Sequence, residues 1–332
     1  MVECLRSSQS QSYTVPNPES GAGNASLRKR LAKLVPWVFY ALVAIFAYFY
    51  LRGINWGALA KVQINWWWIA ASTVASIAVR YWFAGIWMFL LTSLGANLTG
   101  QRAELFLVYA KSWLGRYIPG GATWILGKIY FAGKLGISKS KLGISSFLEG
   151  ALQIIVVLIS AAGMLAFDPH VQKLAHSWVW LLLAAAIAGL VTVYPPVFNR
   201  VIQFGYAKVR KQPLAAEHLP GTKTIGQGIL AFLVSSILSG LSFYFVAAAV
   251  DPSLGWDSVL FIIGASNLAS ALSMLAVFAP AGLGVREGIQ LTMLLLVMSP
   301  EQALVATVLM RVWSIVTDAL FTALAWGFRA LR

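Results

Sequence analysis

The chain has 332 residues, of which 59% are hydrophobic and 11% charged, and its formal net charge is +14. Soluble domains carry roughly 25% charged residues, so this composition marks an integral membrane protein and leaves too little polar chain for a separate soluble catalytic domain. The basic excess fits loops that face anionic headgroups rather than a nucleic-acid ligand. Cys4 is the only cysteine, which excludes a disulfide framework or a cysteine-based metal site. His170, His176 and His218 have no ligand spacing, so neither a metal nor a cofactor is expected.

Residues 1–33 are polar and Ser-rich with scattered Pro and Gly, and read as a disordered cytoplasmic tail ending in Arg28, Lys29, Arg30 and Lys33. Apolar runs follow at 34–51, 66–91, 143–167, 177–197, 228–250, 257–278 and 303–327. About 20 residues are needed to cross a ~30 Å hydrocarbon core, so each is a candidate span. Residues 103–118 form a shorter run. "GATWILGKIYFAG" and "GIQLTMLLLVM" would reach only ~15–20 Å as helices and read as half-helices. The expected fold is an all-α polytopic membrane protein of about eight helices plus short broken or re-entrant segments. One membrane domain covers 34–327, with a cytoplasmic end at 328–332.

Loop charge gives the orientation. The N-terminal cluster, Lys134/Lys139/Lys141, the group Arg200, Lys208, Arg210, Lys211 and Lys223, and Arg329/Arg332 read as cytoplasmic loops. The loops at 52–65, 168–176 and 251–257 are poorer in cations and read as external. Residues 103–134 therefore enter and return on one side. They form either two thin crossings or a re-entrant hairpin turning at Pro119, Gly120 and Gly121; the short limbs favour the hairpin.

A shift of 161 residues superposes Leu107/Leu268, Ala110/Ala271, Ser112/Ser273, Leu114/Leu275, Pro119/Pro280, Gly121/Gly282, Gly127/Gly288, Leu135/Leu296, Ser138/Ser299 and Leu148/Leu309. The shared Pro, Gly and Ser positions indicate two repeats, with cores near 103–167 and 257–327, and the loop charges orient them oppositely. Inverted repeats with broken helices recur in secondary transporters. Broken backbone at membrane depth needs protein or water around it, so Pro119, Gly120, Gly121, Pro280, Gly282 and Gly284 point to a polar cavity between the copies. Helix N-termini there would favour a phosphate or carboxylate.

The charged residues inside apolar runs are the candidate binding set. Arg80 lies mid-run in "ASIAVRYWFAGIW". Arg116 and Lys128 flank the first break. Glu149 is the acid of "SSFLEGALQ" and is expected to pair with a buried cation. Arg286 and Glu287 follow the second break directly. Arg311 and Asp318 are seven apart on the last helix and share a face. No catalytic motif such as HExxH, GxSxG or GxxxxGK[ST] occurs, and no enzymatic activity is expected.

"GRYIPGGATWILGKIYFAGKLGIS…SSFLEG" and "FAPAGLGVREGIQLTMLLLVMSPEQALVATVLMRV" resemble the transmembrane region of lysylphosphatidylglycerol synthases, a flippase-like family, over most of residues 34–327. Pro119, Gly120 and Gly121 match its first break; Pro280, Gly282, Gly284, Val285, Glu287 and Arg311 match its second. Arg80 and Glu149 stand where the family has a second-helix Arg and a fourth-helix Glu. Two places depart from the pattern: Lys128, where the family often has Arg, and Gly150, where many members have Arg. The resemblance implies the translocating part without the aminoacyl-transferase domain. It points to a transporter of an anionic or aminoacylated lipid, phospholipid or polyprenyl phosphate, in the inner membrane. The partners it implies are the lipid substrate, anionic headgroups at the cytoplasmic face, a cell-envelope lipid synthase and a second copy of the chain. The rival readings are a membrane-embedded glycosyl- or acyl-transferase and a non-catalytic partner of such a synthase.

Overall fold

The computed structural model describes residues 57, 62–118, 123–172, 176–210, 219–276, 279 and 282–330, all within the compact unit Phe49–Arg332. Among them the chain is all-helical: α1 (Trp66–Ser93), α2 (Arg102–Leu114), α3 (Thr123–Gly133), α4 (Lys139–Leu165), α5 (Pro169–Gln172), α6 (His176–Val193), α7 (Pro195–Arg210), α8 (Thr222–Val250), α9 (Val259–Leu275), α10 (Val285–Leu294) and α11 (Pro300–Ala330). Five helical segments are long and apolar enough to cross a membrane: α1, α4, α8, Trp256–Leu275 and α11. The protein is a multi-pass, all-α membrane protein. The tail 1–33, the run 34–51, Pro119, Gly120, Gly121 and Pro280 lie outside the described residues.

Local chemistry sets the ends of these helices. Asn65 precedes α1, and its side-chain oxygen accepts the Trp67 N–H at 3.1 Å, satisfying one of the free donors of the first turn. Gly284 precedes α10 with φ +86°, a conformation that costs a side-chain-bearing residue. Its N–H is accepted by Glu287 Oε2 at 2.7 Å, so this acid fixes the start of the half-helix. Gly282, also at positive φ, lets the backbone pass Ser273, where a Cβ would come within 2.5 Å.

The packing pairs form a pattern. Helix α1 packs on α8, α4 and α11; α8 also packs on α4 and α11; α2 on α3 and α11; α9 on α10 and α4; α3 on α4; and α10 on α11. The 161-residue shift exchanges α1 with α8, α2 with α9, α3 with α10 and α4 with α11; it carries the α1–α8 pair onto itself and each of the others into another of these pairs. Direction follows from the contacts. Ser72 and Ser76 meet Ser242 while Trp82 meets Ala231, so α1 and α8 are antiparallel. Thr73 meets Trp313 and Arg80 meets Asp318, so α11 runs with α1. Ser160 meets Ser236 and Leu152 touches Gly228, so α4 runs with α8. The equivalent long helices thus point in opposite directions. The α1–α8 seam is lined with small hydroxyls, which let helices approach closely where lipid supplies no hydrophobic drive.

Helices α2 and α3 form an antiparallel hairpin. Gly115 lies against Thr123 and Gly127 against Ser112, and Gln101 Nε2 donates to the Leu135 carbonyl at 3.4 Å. Its two ends therefore lie side by side. The cations Arg200, Lys208 and Arg210, expected in a loop, instead belong to helix α7. Their spacing leaves Val197, Val201, Phe204 and other apolar residues between them, an amphipathic pattern that hydropathy alone hides.

Candidate functional site

Arg80, at the centre of α1, is only 7% exposed. A cation at that depth must be paired or face a polar interior. Its Nε donates to Asp318 Oδ1 at 2.6 Å, and its terminal nitrogens donate to the carbonyls of Ser76 and Ser314 at 2.7 and 3.1 Å. Asp318 Oδ2 accepts from Arg116 at 2.5 Å and from the Tyr117 hydroxyl at 2.6 Å, while Oδ1 also accepts the Trp113 indole N–H at 3.1 Å. One carboxylate on α11 therefore ties α1 to the tip of the first hairpin and serves two guanidiniums. The Arg116 guanidinium lies over the rings of Trp113 and Tyr117, 4.6 and 5.1 Å from their centroids, and its Nε is buried without a hydrogen-bond partner.

Helices α9 and α10, the counterparts of α2 and α3 under the 161-residue shift, pack on each other as a second hairpin, and it approaches the same place. Arg311 donates to Glu287 Oε1 at 3.0 Å, and its guanidinium is 6.0 Å from the Tyr117 ring. Arg286 stands within electrostatic reach of Arg116, Glu287, Arg311 and Arg80, yet it has no ion pair among the described residues, and its Nε is buried without a partner. One turn later, Gln290 is 2% exposed, and its amide nitrogen also lacks a partner. Among the described residues, four guanidiniums thus stand around two carboxylates, and two orphaned donors lie on one face of α10. Leaving a buried donor unmade costs about 1–3 kcal/mol, so such an arrangement is suited to an incoming anion.

Lys128 and Glu149 form a separate station. The Lys128 ammonium donates to Glu149 Oε2, and Glu149 Oε1 accepts the Tyr109 hydroxyl at 2.8 Å. The ammonium also lies 4.2 to 5.1 Å from the ring centroids of Tyr109, Trp124 and Trp87. Both charged side chains are sealed, at 0% and 1% exposure. Tyr109 stacks on Trp113, which links this station to the arginine cluster. Among the described residues, no three His, Cys, Asp or Glu side chains converge as a metal would require.

Of the residues singled out in the sequence, Arg80, Arg116, Arg286, Glu287, Arg311 and Asp318 come together. Lys128 and Glu149 instead pair with each other, and Gly282 and Gly284 shape the approach to α10. Sequence reasoning missed Trp113, Tyr117, Tyr109 and Gln290. The first three are aromatics on the same short limb as Arg116. Gln290 is the polar residue four positions after Arg286 in an apolar helix, a spacing that places both on one face.

Among curated proteins, none matches the chain. The family model described as the lysylphosphatidylglycerol synthase TM region matches residues 26–322, nearly the whole membrane domain. The protein belongs to the lysylphosphatidylglycerol synthase transmembrane-region family.

Proposed function

We propose that the protein is a flippase-like transporter, not an enzyme, that moves an anionic or aminoacylated lipid, a phospholipid or polyprenyl phosphate, between the leaflets of the inner membrane, with both its termini in the cytoplasm. The reading is carried by the surplus of guanidiniums over carboxylates among the described residues at the meeting point of the two hairpins, where Arg286 has no ion pair among those residues. A lipid phosphate has to cross the hydrocarbon core while its chains stay in it, and a buried cation cluster lowers the cost of that passage. The first hairpin dips into the bilayer from the cytoplasmic face, and the short helix α10 enters it from the other, beside the longer Trp256–Leu275 segment. Opposed half-helices meeting near the midplane are the arrangement that alternating access uses. The engagement of the acids supports the non-enzymatic reading: Asp318 accepts four donors, Glu149 two, and Glu287 both Arg311 and the Gly284 N–H.

The test is a headgroup-exposure assay in liposomes holding purified protein and labelled lipids. The wild type should equilibrate an anionic lipid between leaflets. Arg286→Ala should slow this by about 10- to 100-fold, as expected for the loss of hydrogen bonds to a charged group worth about 1.5–3 kcal/mol. Its melting temperature should hold or rise, because the variant removes a half-buried cation that has no ion pair among the described residues. Equal rates in the variant and wild type would sink the assignment of Arg286, and no movement of any lipid by the wild type would sink the transport reading.

A further inference from the structure

A second feature lies directly beside the arginine cluster, on the outer face of α11. Residues Ile315, Ala319, Ala323 and Trp326 fall on one stripe of that helix. The two alanines are recessed between the larger side chains, opposite Leu114 and Tyr117 of the first hairpin. The result is an open groove of about 500 Å³ with an almost wholly apolar lining. Thr322, the remaining lining residue, turns its hydroxyl back onto the Asp318 carbonyl at 2.8 Å, so it offers the groove little but its methyl group. Helix α11 is a membrane span, and the groove is therefore open to hydrocarbon.

The head of the groove is Tyr117. Its ring lines the apolar wall, and its hydroxyl donates to Asp318 Oδ2, the oxygen that also holds Arg116. Asp318 is buried while its neighbour Ala319 faces outward, so one turn of helix carries the wall from apolar groove to cation cluster. We propose that this groove between α2 and α11 seats a hydrocarbon chain of the same lipid whose anionic headgroup lies on Arg116 and Arg286. The inference rests on the function proposed above and names where the rest of that substrate goes.

Charge complementarity selects this occupant. An apolar helix, from residues 34–51 or from a second copy of the chain, would fill the groove but leave the surplus guanidiniums uncompensated. A free anion would neutralise them but leave the groove to bulk lipid. An anionic lipid satisfies both, with the chain along α11 and the phosphate past Tyr117.

The experiment places a photo-crosslinking benzophenone side chain at Ala323 of the full chain, in nanodiscs of phosphatidylcholine with a minority of phosphatidylglycerol, and reads adducts by mass. The expected result is phosphatidylglycerol adducts several-fold above its share of the bilayer, with the excess lost in Arg286→Ala. Adducts in proportion to bilayer composition, or crosslinks to peptides from 34–51 or from a second copy, overturn the proposal. A companion variant, Ala319→Trp, fills the groove at an exposed position. It should lose at least 10-fold in retained phosphatidylglycerol by native mass spectrometry while binding glycerol 3-phosphate as the wild type does; unchanged lipid retention overturns the groove. If the wild type fails to bind glycerol 3-phosphate but still enriches phosphatidylglycerol at Ala323, the headgroup assignment falls and the groove stands.

Discussion

Each half of the molecule clamps its short half-helix to the long helix that follows with one ion pair, but the two clamps have opposite polarity and opposite exposure. In the first half the cation is on the short limb and the acid on the long helix, Lys128 to Glu149, sealed at 0% and 1% exposure inside three aromatic rings. In the second the acid is on the short limb and the cation on the long helix, Glu287 to Arg311, at 22% and 20% exposure. The repeat thus preserves the mechanical device while its chemistry has diverged. A sealed pair holds a hairpin in place. The open pair lies beside Arg286, which has no ion pair among the described residues, so under the proposed function its helix is the one to respond to an arriving anion.

The largest effect should come from breaking the sealed clamp. Glu149→Gln leaves the Lys128 ammonium buried without a counter-charge, a change that costs about 3–5 kcal/mol. The expected outcome is a large drop in melting temperature, or loss of monodisperse protein, in detergent. Replacing both members together, Lys128→Met with Glu149→Leu, should recover most of that loss, because two buried charges are removed instead of one being stranded. A double variant as unstable as the single would mean that the pair does more than hold the hairpin.

The corresponding change in the open clamp should be milder. Glu287→Gln keeps an oxygen that can accept the Gly284 N–H and loses only the charge facing Arg311. For a partly exposed pair the expected loss is about 1 kcal/mol or less. Comparing the thermal melts of Glu149→Gln and Glu287→Gln measures the asymmetry directly. Equal shifts would show that exposure, read from the side chains, does not separate the two halves.

Much of this architecture is legible in the sequence, for physical reasons that can be named. Hydropathy marks the runs that become α1, α4, α8, α9 and α11 because lipid demands apolar length. The Pro-Gly matches at a 161-residue shift mark the hairpins because backbone breaks need those residue types. Arg311 and Asp318 do lie on one stretch of α11, with the Ser314 carbonyl between them accepting from Arg80. What the sequence hides is partner choice. Nothing in the spacing of Lys128, Arg116 and Arg80 says which of them takes Glu149 and which take Asp318, since that depends on how α2 packs against α11. The amphipathic helix α7 is hidden for another reason: a hydropathy window averages its apolar face with its basic one.

The smallest expected effects test the asymmetry at the backbone. Gly127 on α3 and Gly288 on α10 are equivalent under the shift, and either glycine to alanine should gain up to ~1 kcal/mol of helix propensity. At Gly288 a Cβ would meet nothing within 4 Å, so Gly288→Ala should keep that gain and raise the melting temperature slightly. At Gly127 a Cβ would come within 3.2 Å of the Ser112 Cα and 3.1 Å of its hydroxyl, so α2 and α3 would have to part. Overpacking of this kind costs about 1–3 kcal/mol, which cancels or outweighs the propensity term. Opposite signs from the same substitution at equivalent sites would show that the first hairpin is packed shut and the second is not. If both variants stabilise, the first hairpin has room to loosen, and the contrast between a fixed half and a responsive half has to rest on the charges alone.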